Sequence, residues 1–408
     1  MKIIHLNYSD LQGGASIASY RLHKSLKKKK INSKMVVAKK LSNDNSVYSF
    51  KKNLEKFIFN LKKNLSRFFS KTLELNSNNN YSVSFFNSKL FKVVKSLDPD
   101  IVNLHWICNE TISINEVKKL KKKIVWTLTD MWPFLAIEHI SYNFNKKDYW
   151  NDKKILNSNK LSLKHLILKS KINKFNFNFK VVAISAWLAN QAKKSILFKD
   201  KDIIVIPCCL DFDEWSPVNK IDVRKKFKLG LNKKIILFVS SGNTNDKKKG
   251  FEILLNAFKK IQNKSNYHLI ILGKLDDNHK KELSVSYTQF NNFYYGKPSF
   301  LKEIYSAVDL LAAPSLVESF GQVSLEAASC NVPTIAFKDT GLTEIVVHKK
   351  NGYLANYKNI SDFAKGLEWC FEKKNYKKLS LNSRPMAKSK FSYNIISKQY
   401  LDFYKTLQ

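Results

Sequence analysis

The chain has 408 residues, enough for two domains that each bury a core. It carries 71 Lys and Arg against 33 Asp and Glu, a formal charge of +38. No helix-turn-helix cue, zinc spacing or RNA-binding aromatic motif accompanies that charge, so a basic surface resting on lipid is favoured over a nucleic-acid reader. No apolar run approaches the roughly 20 residues of a membrane span. The start MKIIHLNYSD reads as a strand rather than a signal peptide, and the scattered cysteines have no metal spacing, which fits a reduced cytosolic protein.

Strand and helix alternate from the beginning. Residues 2–7 read as a strand, 10–14 as a loop, 15–26 as a helix with Ile17, Tyr20, Leu22 and Leu26 inward, and 33–38 as the next strand. Gly13 and Gly14 before that helix allow a phosphate close backbone approach, although a glycine pair by itself more often marks a turn. Residues 43–84 break the alternation. Within them Leu54, Phe57, Ile58, Leu61, Leu65, Phe68, Phe69 and Leu73 recur at helical spacing, with Lys56, Lys62, Lys63, Arg67 and Lys71 on the remaining surface. Capping the core is the commoner fate of such a helix. The bulky aromatics and flanking cations here predict instead that it lies on an anionic inner-leaflet surface.

Regularity returns with strands over 101–104, ending in His105-Trp106, and over 124–128, running into Thr129-Asp130-Met131-Trp132-Pro133-Phe134. Open α/β sheets bind ligands at the carboxyl ends of their strands, which makes this cluster a candidate site. Strands over 181–184 and 203–206 flank a helix over 185–197. Cys208 and Cys209 follow, read as small buried hydrophobes, and Trp215-Ser216-Pro217 reads as an interdomain linker. The second half restarts with a strand over 235–240, Lys247-Lys248-Lys249-Gly250 and a helix over 251–261. A lysine at a helix start offers a cation and backbone amides to a diphosphate, while a lysine run is more often a solvated patch. Strands over 268–273, 292–295 and 309–313 continue the sheet, and residues 394–407 form a terminal helix.

The stretch PSLVESFGQVSLEAASCNVPTIAF, residues 314–337, is the most informative. A loop from Pro314 leads to a helix beginning near Phe320-Gly321 and then to a strand over 334–337, with seven residues between Glu318 and Glu326. A ligand with a central diphosphate and a hydroxyl-rich ring at each end fits: one ring on Glu318, phosphates on the helix amides, the other ring on Glu326. Taken alone, two solvated helix-end carboxylates fit somewhat better.

Pro314, Ser315, Glu318, Phe320, Gly321 and Glu326 together resemble the signature of the family 4 retaining glycosyltransferases, in order and spacing. The resemblance covers nearly the whole chain apart from residues 43–84. It implies two Rossmann-like α/β domains facing across a cleft, the GT-B fold, with domains 1–213 (plus the terminal helix 394–408, crossing back) and 214–393. It implies that Glu318 faces the donor sugar, that Glu326 holds the ribose, and that amides near Phe320 and Gly321 meet sugar and diphosphate. Lys249 becomes the phosphate lysine, with Lys248 replacing a usual arginine, and Gly13-Gly14 matches the entry loop. Asp130 carries over as a catalytic residue together with Glu318 and Lys249. The family has a His where Thr129 stands, and His139 approximates a second one; His105, Thr129 and His139 are therefore candidates for sugar or acceptor contacts. Cys208-Cys209 departs from a usual Asn-Gly. Thr340-Gly341-Leu342-Thr343-Glu344 and Asn351-Gly352-Tyr353 match.

The implied reaction moves a hexosyl group from a nucleotide sugar to a glycan or lipid-linked acceptor in cell-surface polysaccharide synthesis. It needs no cofactor and no metal. The expected location is cytoplasmic and peripheral on the inner face of the membrane. A nucleotide-sugar 2-epimerase, or a non-catalytic nucleotide-sugar-binding protein, are the rival readings on this scaffold.

Overall fold

A computed structural model describes residues 1–73, 81–141, 163–291 and 298–407. The chain divides into two compact α/β units: Met1–Pro207 with Ser397–Gln408, and Cys208–Ile396. The segment around Trp215, expected as a linker, lies inside unit 2. Trp215 packs on Tyr305 at 6.1 Å between ring centroids, and Arg384 donates to the carbonyls of Phe212 (2.7 Å) and Trp215 (2.6 Å). The crossing instead falls at Pro207 and Cys208, both cysteines of the pair being buried.

Unit 1 is built on seven strands: β1 (Lys2–Ser9), β2 (Asn32–Lys39), β3 (Val47–Tyr48), β4 (Ile101–Leu104), β5 (Lys123–Leu128), β6 (Lys180–Ala183) and β7 (Ile203–Val205). Their order is β3-β2-β1-β4-β5-β6-β7 and every pairing is parallel. Near-continuous apolar runs such as KIVWTL are what a sheet covered on both faces requires. Trp126 of β5 is fully buried among Phe175 and Phe179.

Unit 2 repeats the plan with β8 (Lys234–Asn243), β9 (Tyr267–Lys274), β10 (Ser286–Phe290), β11 (Leu310–Ala313), β12 (Thr334–Phe337) and β13 (Gly352–Ala355), ordered β10-β9-β8-β11-β12-β13 and again parallel. Phe238, Phe251, Leu254, Phe258, Phe337 and Phe363 pack its core. The strand expected over 292–295 lies outside the described residues, and the sequence reading missed β10. That strand is half-buried along its length, so it lacks the apolar run that marked the others.

Both sheets reverse strand order beside their first strand, between β1 and β4 and between β8 and β11. A crevice opens outside the carboxyl ends of the strands at such a point, and ligands of doubly wound sheets bind there. The chain directs its Gly13-Gly14, Asp130, Lys249 and Glu318 loops to these strand ends. Among the described residues, no helix is long and apolar enough to cross a membrane.

Candidate functional site

In unit 2 two loops are fastened backbone to backbone. After β8, Asp246 caps a short turn over Lys247–Lys249 by accepting from the Lys248 amide at 3.1 Å. Gly250 then takes a left-handed conformation (φ 69°, ψ 34°) and opens the helix Phe251–Lys260. After β11, the Leu316 amide donates to the Lys248 carbonyl at 2.7 Å. A Cβ on Gly250 would stand 2.1 Å from the Pro314 carbonyl oxygen, so only glycine permits this approach. Gly250→Ala is therefore expected to cost about 1–2 kcal/mol through the left-handed backbone alone, before the clash with Pro314 is counted. Gly242→Ala, where a Cβ meets nothing within 4 Å, is the matched control. Equal urea midpoints for the two variants would mean that the loops are not so fastened.

The fastening brings Lys249 to Glu318: Nζ donates to Oε2 at 2.7 Å, with 26% and 21% of the two side chains exposed. The Glu318 carbonyl also accepts from the Gly341 amide at 2.7 Å, and Gly341 lies so close to Ser319 that a Cβ would meet its carbonyl oxygen at 2.2 Å. Glu318 is thus fixed from two sides, by the lysine loop and by the Thr340-Gly341 loop. Lys248 lies 3.4 Å from Asp246 instead. A partly exposed ion pair of this kind adds little stability.

Gly321 (φ 101°, ψ 59°) opens the helix Gln322–Ser329, which has no side-chain cap. Its positive end faces the loop that carries Glu318, an arrangement that favours an anion. The Phe320 side chain is buried edge-on against Phe391 at 5.7 Å and anchors the loop. Glu326 is also buried and accepts from the hydroxyl of Tyr305 at 2.8 Å. The structure thus joins Glu318 to Lys249 and joins Glu326 to Tyr305, a partner that no motif singles out.

In unit 1 the helix Gly14–Lys28 follows Gly13 (φ 90°, ψ 160°), and a Cβ on either glycine would meet nothing within 4 Å. Asp10, fully buried, holds this loop in place by accepting from the amides of Leu41 and Ser42, each at 2.9 Å. Beyond β4 and β5, Asp130 and His139 meet: Nδ1 of His139 lies 2.6 Å from Oδ2 of Asp130. The same Oδ2 accepts from the Trp106 indole N–H at 2.7 Å, and the Trp132 amide reaches Oδ1 at 3.2 Å. A carboxylate has no proton to give, so the Nδ1 proton belongs to His139, and Nε2 faces the Ser82 hydroxyl at 2.9 Å. The Trp106 and His139 rings lie 5.1 Å apart.

His105 is placed elsewhere. It is buried, and its Nε2 bonds to Nδ1 of His5 at 3.0 Å. Burial pushes its pKa down to about 3. Successive residues leaving a strand point to opposite faces, and at the end of β4 it is Trp106, not His105, that reaches Asp130. Thr129 is half-buried beside Asp130. Lys171, on the helix Leu163–Lys174, is a residue that sequence reasoning passed over as one lysine among many. Its buried Nζ donates to the carbonyls of Trp132 (2.6 Å) and Leu135 (2.7 Å), and so holds the turn between Asp130 and His139. Burial pushes its pKa down to about 7. Among the described residues, no group of three or more His, Cys, Asp and Glu could hold a metal ion.

Comparison with known proteins bears on unit 2 most directly. Residues 219–386 match the family model described as Glycosyl transferases group 1. An uncharacterized glycosyltransferase of Methanocaldococcus jannaschii is 30% identical over 193 residues, 46% of this chain and 48% of that protein. A capsular polysaccharide biosynthesis glycosyltransferase of Staphylococcus aureus is 26% identical over 235 residues, 55% of this chain and 61% of that one. The chain thus spans about half the length of the curated relatives it matches. In fold it resembles HepE of Anabaena, solved with UDP and glucose, at a TM-score of 0.67 and 16% identity over 99% of both chains. Residues 219–386, within unit 2, thus match the model of the group 1 glycosyl transferases, and the two parallel-sheet α/β units have the GT-B fold.

Proposed function

We propose that the protein is a retaining glycosyltransferase, moving a hexosyl group from a nucleotide sugar to a hydroxyl of a glycan or lipid-linked acceptor in cell-surface polysaccharide synthesis. The 2.7 Å pair of Lys249 and Glu318, on two loops fastened at the strand-order reversal of unit 2, carries this reading. A donor diphosphate takes Lys249 as its cation, with Lys248 beside it and the amino end of the helix Gln322–Ser329 behind. Glu318, released from the ammonium, turns to the sugar hydroxyls. Negative charge grows on the diphosphate as the glycosidic bond breaks, and a fixed cation stabilises that state more than the ground state. The reading assigns this neutralisation to protein groups and to no metal ion. Glu326 receives the ribose hydroxyls, its second oxygen fixed by Tyr305. Gly13 and Gly14 are assigned to the donor, and Asp130, with His139 and Thr129, to the sugar or acceptor. The protein is placed at the inner face of the cell membrane, where lipid-linked acceptors are made.

The Staphylococcus relative's part in capsular polysaccharide biosynthesis and the UDP and glucose bound to the Anabaena structure support the donor and product classes. The test is thermal unfolding with UDP-, GDP- and ADP-sugars. At a concentration of 100 Kd, a ligand of the native state adds about 2.7 kcal/mol, which raises Tm by about 5 °C or more. One nucleotide series is expected to do this for the wild type and to fail for Lys249→Ala. Absence of a shift with all three at millimolar concentration would overturn the donor assignment.

A further inference from the structure

The helix Asn53–Leu73 is turned inside out relative to an ordinary surface helix. Its apolar stripe faces solvent: Leu54 is 65% exposed, Phe57 60%, Leu61 54%, Leu65 45% and Phe68 62%. At about 100° per residue these positions, with Ile58 and Phe69, fall within an arc of about 120°. Phe59 and Ser66, about 130° from the centre of that arc, are the buried side, at 6% and 5% exposure. Phe59 packs on Phe50 at 5.0 Å between ring centroids, and polar contacts also hold the helix to unit 1. Ser66 donates to Glu110 at 2.7 Å, and Lys62 donates to the Asn87 carbonyl at 3.0 Å. Glu110 also accepts from the amides of Phe85 and Phe86, which sets Phe85, 48% exposed, beside the same helix.

A helix that caps a core turns its apolar face inward, and this one does the reverse. Monomeric proteins rarely leave so many adjacent large apolar side chains in water without an interaction to serve. The charge around the stripe says which partner it is. Residues 51–73 hold seven Lys and Arg against the single acid Glu55, with Lys51, Lys52, Lys56 and Arg67 exposed. A second copy of a chain carrying +38 would bring like charge against like. An acyl layer under anionic headgroups satisfies both halves of the pattern, the stripe entering the acyl boundary and the cations meeting the headgroups.

We infer that the solvent-facing stripe of the helix Asn53–Leu73, with Phe85 beside it, is a docking surface for an anionic lipid bilayer. This goes beyond the transfer reaction and does not depend on it, since vesicle binding requires neither donor nor acceptor. The experiment is sedimentation of the full chain with phosphatidylcholine vesicles and with vesicles containing phosphatidylglycerol. The wild type is expected to bind the anionic vesicles at least about tenfold more tightly than the neutral ones, and to lose that preference as salt shortens the Debye length. Phe57→Ser with Leu61→Ser and Phe68→Ser removes three exposed apolar groups and is expected to bind at least about tenfold more weakly. Its circular dichroism and Tm should stay those of the wild type, because none of the three is in the core. Lys56→Glu with Arg67→Glu is expected to lower the anionic preference while leaving the weak neutral binding in place. Equal binding by wild type and the triple variant would overturn the inference, as would no binding to anionic vesicles at low salt. So would a dimer that the triple variant abolishes in a protein that ignores vesicles, since a second copy would then be what covers the stripe.

Discussion

Lowering the pH from 7 to 4.5 is expected to remove most of the stability of unit 1. Three buried imidazoles are responsible: His5, His23 and His105, with His5 lying between the other two at 6.0 Å and 5.2 Å between ring centroids. Burial is the largest cause in each case, pushing His23 down to about 4, His105 to about 3, and His5 well below its usual value. For His5 the charges of His105 and His23 add to this. The unfolded chain protonates at about 6.5 while the native state does not, so stability falls as pH drops from 6.5 toward the native values. Each imidazole contributes a slope of about 1.4 kcal/mol per pH unit, so between about pH 6.5 and 4.5 the three together remove about 8 kcal/mol, a large share of an ordinary domain stability of about 5–15 kcal/mol.

The neighbours modify the window without reversing it. Asp44 beside His23 is lowered and adds to the loss only below the ordinary carboxylate range. Lys27 and Lys24 oppose a proton on His23, and Glu110, raised by burial, works weakly in the other direction. Urea unfolding followed at pH 7, 6, 5 and 4.5 reads the slope directly, and His105→Gln should flatten it by one proton. A midpoint that stays level from pH 7 to 4.5 would mean that the histidines are not buried as described.

The second large effect is on catalysis. Lys249→Ala is expected to lower the transfer rate about 10²–10³-fold, the usual loss when one preorganised donor to developing negative charge is removed. Glu318→Gln keeps the side-chain volume but weakens both the ion pair and the sugar contact, so it should lower kcat more than it raises KM. Glu326→Gln should do the opposite, since Tyr305 keeps an acceptor while the ribose loses a charged one. Glu326→Ala is the poorer probe: it removes the buried carboxylate that accepts from the Tyr305 hydroxyl, at about 1–3 kcal/mol of stability. Steady-state rates with the donor found by thermal shift test the three variants. A Lys249→Ala enzyme with wild-type kcat would leave the pair without the role given to it.

The parallel sheets were legible because strands buried on both faces spell near-continuous apolar runs, as KIIHL of β1 and KIVWTL of β5 do. β10, half-buried, spells SYTQF and carried no such signal. The pairing of Lys249 with Glu318 was foreshadowed only by each residue's place in its own motif, because 69 positions separate them and proximity at that range is a property of the sheet order. The choice between His105 and Trp106 turned on a single step of strand alternation at the end of β4. Lys171 was hidden by its own abundance, since a buried lysine and a solvated one are the same letter in a chain with 71 Lys and Arg. For the helix Asn53–Leu73, periodicity gave the stripe, but only packing could say which side faces the protein.

One consequence of the unit boundaries concerns the order of events at synthesis. Unit 1 is split in sequence, and Ser397–Gln408 returns to it after all of unit 2 has been made. Tyr404 bonds to Asn103 of β4 at 2.7 Å, and Tyr400 approaches Thr127 of β5 at 3.4 Å, both deep in that sheet. The amino-terminal half must therefore wait on the ribosome with the seats of these tyrosines unfilled, while the later unit, continuous along the chain, is free to finish first. Domains that fold during translation ordinarily do so from the amino terminus onward. Here unit 1 cannot close fully until Ser397–Gln408 has been made, and the part of its sheet that receives Tyr400 and Tyr404 stays open until then.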